Sequence, residues 1–172
     1  MTVDNGRTRP TVGIGRRFPF PEATALFNPA LSALIISATV AGHAEDAGSG
    51  LPWLASFLIA PFVLHDPTRE SLPRDIRTSM AAWLSRNPLI RDSFDRHAHV
   101  LAPITRRAIR FALRSGIMGL EDARLTPIGG IRGMSGSSGA ELRPYYAAGR
   151  LTGRWLARTD VLTAYSLLGV KL

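Results

Sequence analysis

Arg106, Arg107, Arg110 and Arg114 make a purely basic constellation within nine residues. On a helix, Arg106, Arg110 and Arg114 stand at i, i+4 and i+8 and form one stripe, with Arg107 at its edge. Ile104, Ala108, Phe111 and Ala112 face the other way. Guanidinium groups present planar forks that suit phosphate and carboxylate partners. An Arg stripe opposite an apolar stripe therefore fits contact with a nucleic-acid backbone or with an acidic protein surface. The competing reading is a solvated outer face, which every amphipathic helix needs. His65, Arg69 and Glu70 form a second cluster, within His65-Asp66-Pro67-Thr68-Arg69-Glu70. It reads as a polar network at a helix–helix corner, structural or at an interface, rather than as a catalytic site.

Most common catalytic signatures are missing. The chain has no Cys, which removes disulfides, thiol nucleophiles and Cys-ligated metals together. A phosphate-binding loop needs Gly-Lys-Ser/Thr, and the only lysine is Lys171. The chain is therefore expected neither to bind nor to hydrolyse ATP. Gly13-Ile14-Gly15 begins like a dinucleotide fingerprint, but Phe18 stands at the third glycine position and no strand precedes it. None of Ser135, Ser137 and Ser138 has Gly at both −2 and +2, as a nucleophile elbow requires. His97 and His99 are two apart and point in different directions on a helix. We expect no catalytic residues, no metal site and no cofactor.

The elements that carry these residues read as mostly α: a compact multi-helix domain with a winged-helix-like helix-helix-helix-hairpin segment. Asn28-Pro29 opens a first helix with Leu31, Leu34, Ile35 and Ala38 at helical spacing. Gly42–Gly50 reads as a loop. Pro52 opens a second helix, which Pro61 kinks or ends. A third helix spans about Leu72 to Arg86, with Leu72, Ile76, Met80, Trp83 and Leu84 in one stripe. Asn87-Pro88 starts a fourth helix, and Pro103 starts a fifth that Gly116 ends in a left-handed conformation. Ile117–Leu120 and Arg124–Ile128 flank Glu121-Asp122-Ala123 as a hairpin. A last helical part runs from about Glu141 to Leu168, broken near Thr159-Asp160. From Leu72 to Ile128 the order is helix, helix, helix, hairpin, and the Arg stripe falls on the helix before the hairpin, where a winged helix reads DNA. Residues 1–20 read as a flexible basic arm. Residues 21–172 read as a single helical domain with a Gly/Ser-rich loop at 129–139.

The 172 residues suit one domain, and 45% apolar with 20% charged residues excludes a disordered composition. The net charge is +8. Residues 18–68 contain no arginine, so the basic excess beyond the arm lies in the middle and C-terminal parts. No apolar run reaches the roughly 18–20 residues that span a bilayer. Ala30–Gly42 follows Arg16-Arg17 and mimics an export signal, but Pro19, Pro21, Glu22 and Asn28-Pro29 interrupt it. We expect a cytoplasmic chain with no membrane contact.

Four stretches carry a family resemblance. Leu26-Phe27-Asn28-Pro29-Ala30 opens the first helix. The middle block Leu51-Pro52 … Pro61-Phe62-Val63-Leu64-His65-Asp66-Pro67-Thr68-Arg69-Glu70-Ser71-Leu72-Pro73 is the most specific, and it continues through Thr78, Trp83-Leu84 and Asn87-Pro88. Leu101-Ala102-Pro103 … Thr105-Arg106 … Ala108 … Phe111-Ala112-Leu113 … Gly116 follows. Gly153-Arg154-Trp155-Leu156-Ala157 … Leu167-Leu168-Gly169-Val170 closes the chain. Over about residues 22–172 the chain resembles the middle component of bacterial ABC-three-component systems, a group related to Lamassu-type anti-phage defence. These are motifs of packing and interface, not of catalysis. The resemblance implies a non-catalytic adaptor that couples an SMC- or RecN-like ABC ATPase to an effector subunit such as a nuclease, with DNA touched weakly or indirectly. The 129–139 loop and the Arg-rich first 17 residues have no place in the family pattern. The alternative from the residues alone is a stand-alone winged-helix DNA-binding regulator.

Overall fold

The computed structural model describes residues 28–128 and 137–171, with the backbone alone at 137–140. The basic arm at 1–20 and residues 129–136 of the Gly/Ser-rich segment lie outside the described residues. The fold is mostly helical, as the residue pattern predicts, with one small sheet.

Helix α1 spans Pro29–Ala47. Asn28 Oδ1 accepts from the N–H groups of Ala30 and Leu31, both at 3.1 Å, and so satisfies two orphan donors of the first turn. The helix does not stop at Gly42 as expected; it ends at Gly48, which takes the left-handed φ of 65°. Gly42 stays helical because it serves a packing need. A Cβ there would lie 2.4 Å from the carbonyl oxygen of Arg150 on helix α6, which spans Ser137–Ala157. Gly153 approaches α1 just as closely, 2.0 Å from its Cβ position to the Thr39 carbonyl oxygen. Glycines on both helices thus let the two backbones meet. The close packing offsets a helix-propensity cost of about 1 kcal/mol per glycine.

Strand β1, Leu51–Pro52, joins the expected hairpin of β2, Met118–Glu121, and β3, Arg124–Pro127, in the antiparallel order β1-β3-β2. Asp122 and Ala123 turn the hairpin with φ of 47° and 58°, the mirror-image turn that matches strand twist. Pro52 is therefore a strand residue paired with Arg124, not the first residue of a helix. A 3-10 segment, Trp53–Leu58, leads into α2, Ile59–Leu64. Pro61 does not end α2, since it occupies the first turn, where an N–H has no required intrahelical partner.

His65–Glu70, expected as a connector, forms most of the short helix α3, Asp66–Ser71. The third helix expected at 72–86 is confined to α4, Met80–Arg86. Side chains outcompete the helix upstream of it. Asp75 accepts from the Arg77 N–H at 2.9 Å, and Ser79 Oγ caps the Ala82 N–H at 3.2 Å. The fourth and fifth expected helices are one, α5, Pro88–Arg114. Pro103 sits inside it on the exposed side, where water can take the hydrogen bond of the His99 carbonyl that the ring cannot supply. Between Leu72 and the hairpin two helices form, α4 and α5, rather than the three on which the winged-helix detail rests. Gly116 follows with φ 65°, the expected left-handed stop. Ser137–Gly139, expected in the loop, already belong to α6. Asp160 caps α7, Val161–Leu168, by accepting from Leu162 and Thr163, which places the break where the sequence indicates it.

The core centres on α1, which packs on both α5 and α6. Beside it Phe62, Trp83, Phe94 and Trp155 form an aromatic cluster, with Phe62 at 4.7 Å from Phe94 and Trp83 at 5.3 Å from Trp155 between centroids. Both indoles donate to backbone that no helix satisfies: Trp83 to Ser71 O at 2.8 Å and Trp155 to Thr78 O at 2.7 Å. These two bonds hold the irregular 72–79 segment against the core.

Candidate interaction surface

Helix α5 sorts its residues sharply. Phe94, Ala98, Leu101, Ile104, Thr105, Ala108 and Ala112 are buried. Arg106, Arg107, Arg110 and Arg114 are all exposed. From Arg96 to Arg114 the helix contains no acidic residue. Among the described residues none of the four arginines has a carboxylate partner; the Arg106 guanidinium lies 5.7 Å from the Phe57 ring centroid. Five arginines elsewhere are paired with carboxylates: Arg69 with Asp66, Arg77 with Asp75, Arg150 with Glu45, and Arg154 and Arg158 with Asp46. Arg110 and Arg114 also lie in the last two turns, where cations complement the negative end of the helix dipole. Part of their placement is thus intrahelical, but Arg106 and Arg107 gain little from it.

The structure separates the second expected cluster. His65 and Arg69 meet at the α2–α3 corner, whereas Glu70 is exposed and forms no ion pair among the described residues. Arg69 reaches back to the Val63 carbonyl at 2.9 Å, pairs with Asp66 at 2.6 Å and lies 4.4 Å from the Tyr145 ring centroid. The Thr68 hydroxyl is 2.7 Å from His65 Nδ1, and the His65 ring stacks on that of His97 at 4.1 Å. The corner is therefore tied to α5 through His97 and to α6 through Tyr145. Tyr145 was not visible as a partner because it lies far away in sequence.

A second basic surface escaped the sequence reading. Arg143, Tyr146, Ala147, Arg150 and Arg154 line one face of α6 and, with Arg74, an open groove of about 670 Å³. Its signal was the spacing i, i+3, i+4, i+7, i+11 from Arg143, within the helical part expected from about Glu141. Glu45 and Asp46 neutralise two of its arginines, so it carries less free charge than the α5 stripe.

Among the described residues no group of three or more His, Asp or Glu side chains is placed to hold a metal ion. No helix among them is long and apolar enough to cross a membrane. The geometry offers an exposed basic face on α5 and an open basic groove on α6. Neither a curated protein nor a solved structure matches the chain. The profile of one protein family matches residues 20–172, nearly the whole length and all of the described fold. The chain belongs to that family, described as the ABC-three component (ABC-3C) system Middle Component 3.

Proposed function

We propose that the chain is a non-catalytic adaptor that couples an SMC- or RecN-like ABC ATPase to an effector subunit in anti-phage or mobile-element defence. A middle component of a three-component system has partner components by definition. The observation that carries the reading is the row of unneutralised arginines on the exposed face of α5. An arginine face without internal partners is suited to an acidic protein surface, or to DNA held mainly by the ATPase. The stand-alone winged-helix regulator is the weaker reading, because 88–114 is a single helix and no separate recognition helix precedes the hairpin.

A fluorescence anisotropy salt series tests this, on the wild type and on the Arg106→Ala, Arg107→Ala, Arg110→Ala, Arg114→Ala quadruple variant. Isolated wild type should bind DNA without sequence preference, at a Kd of roughly 10⁻⁴–10⁻⁶ M. The variant should lose association with the neighbouring ATPase. Nanomolar, sequence-selective DNA binding by the isolated chain, abolished in the variant, would replace the adaptor with the regulator.

A further inference from the structure

An apolar groove of about 440 Å³ lies where the 3-10 segment, α5 and the end of the chain meet. Leu54, Phe57, Ala102 and Tyr165 form its lining, and Trp53, Arg106 and Lys171 stand around it. Trp53 is 43% exposed, whereas Trp83 and Trp155 are 3% and 1% exposed in the core. It stands edge-on to Phe57 at 5.7 Å between centroids. The Tyr165 hydroxyl donates to the Leu54 carbonyl at 2.9 Å, and burial pushes its pKa up, so it stays a neutral donor that is already engaged. The lining therefore rewards apolar side chains.

The surroundings are cationic. Arg106 and Lys171 are among its lining residues, with His99. Asp95, the nearby acid on α5, is occupied by the Lys171 N–H at 3.1 Å and by His99 at 3.2 Å. The first of these bonds also fixes the end of the chain beside α5. Arg106 belongs to the stripe as well, with Arg110 and Arg114 about one and two turns further along the same helix.

We propose that this groove docks an amphipathic segment of a partner protein, whose apolar side chains enter between Trp53 and Tyr165 and whose carboxylates lie along Arg106, Lys171 and the stripe. Charge complementarity selects this occupant. The chain's own first 17 residues carry Arg7, Arg9, Arg16 and Arg17, and would bring cations to cations. A second copy docked symmetrically would oppose Arg106 and Lys171 to themselves. Exposed Trp with neighbouring Tyr and Arg is also the composition of binding hot spots, and a helix laid in an apolar groove is a recurrent recognition mode.

The proposal deepens the adaptor reading and rests on it, but its test needs no ATPase or effector, so the two can fail separately. A displayed library of random 16-residue peptides is selected on the full chain and counter-selected on the Arg106→Glu variant. Selected peptides should pair spaced Leu, Ile or Phe with Asp or Glu and shift the Trp53 emission. Arg106→Glu should weaken a selected peptide about tenfold or more, because it sets a like charge against the peptide's carboxylates. Trp53→Ala should abolish binding while the melting temperature stays near wild type. The proposal is overturned if nothing is enriched over the variant, or if the peptides show no acidic bias. It is equally overturned if an oligothymidylate displaces them, or if a photo-crosslinking residue in place of Ala102 captures residues 1–27 of the same chain.

Discussion

Replacing Gly153 with alanine should destabilise the protein even though alanine is the better helix former. The new Cβ would lie 2.0 Å from the Thr39 carbonyl oxygen and 2.8 Å from the His43 nitrogen. Both are backbone atoms of α1, so no side-chain rotation relieves the contact, and α1 and α6 must separate. Overpacking of this kind costs about 1–3 kcal/mol, and a backbone obstacle belongs at or above the upper end. Alanine returns roughly 1 kcal/mol of helix propensity. The net is a loss of about 2 kcal/mol, or a Tm lower by ~4–8 °C for a chain of this length. Gly149 supplies the graded comparison. Its Cβ would meet the Ile35 carbonyl oxygen at 3.1 Å and Thr39 Oγ1 at 3.2 Å, which small adjustments accommodate. Gly149→Ala should therefore lie within about 1 kcal/mol of wild type, because the propensity gain offsets the crowding. Thermal melts by circular dichroism read both. The near-ultraviolet bands should change only in Gly153→Ala, because Trp155 of the aromatic cluster is two residues away. A Gly153→Ala protein as stable as wild type, or the reverse order of the two variants, would refute the reasoning from close backbone approach.

Arg69→Ala removes the bond to Val63, the pair with Asp66 and the contact with Tyr145 from a side chain that is 14% exposed. We expect a loss of about 2 kcal/mol, from a charge-assisted hydrogen bond plus cation–π packing, and an unchanged Tm would count against the corner network. Stability should also depend on pH through His43. Burial is the main cause that holds its pKa below the ordinary 6.5; the hydrogen bond to the Ser49 carbonyl offsets this in part, and the Arg124 charge adds to the lowering. The unfolded chain then takes up the proton first, so His43 costs stability as pH falls below about 6.5 and is neutral above it. Comparing melts at pH 7.5 and 5.5, wild type should lose more than His43→Gln; equal losses would remove His43 from the account.

Several helix starts and stops and the hairpin were legible because their signals are local. Asn28, Asp160, Gly116 and the Asp122-Ala123 turn act on backbone within a few residues, and the chain obeys them. The exposure of Arg106, Arg107, Arg110 and Arg114 was legible for the same reason, since helical spacing alone separates them from Ala108 and Ala112. Signals that depend on a distant partner misled. Gly42 looks like a stop until α6 is brought against it, and Pro103 looks like a start until one knows that it faces water. The helix expected from Leu72 fails because Asp75 and Ser79 offer the backbone local hydrogen bonds, and the indoles of Trp83 and Trp155 hold the result from across the fold. Glu70 was a plausible partner of Arg69 by proximity, but burial of Arg69 against Tyr145 directs its guanidinium to Asp66 instead. The α6 groove joins Arg74 to residues 143–154, and the pocket beside Trp53 joins residues 53–57 and 98–106 to 165–171, all far apart in sequence. Sequence periodicity reports which face a residue occupies on its own helix. Which faces meet is fixed by long-range packing, and that packing creates the grooves.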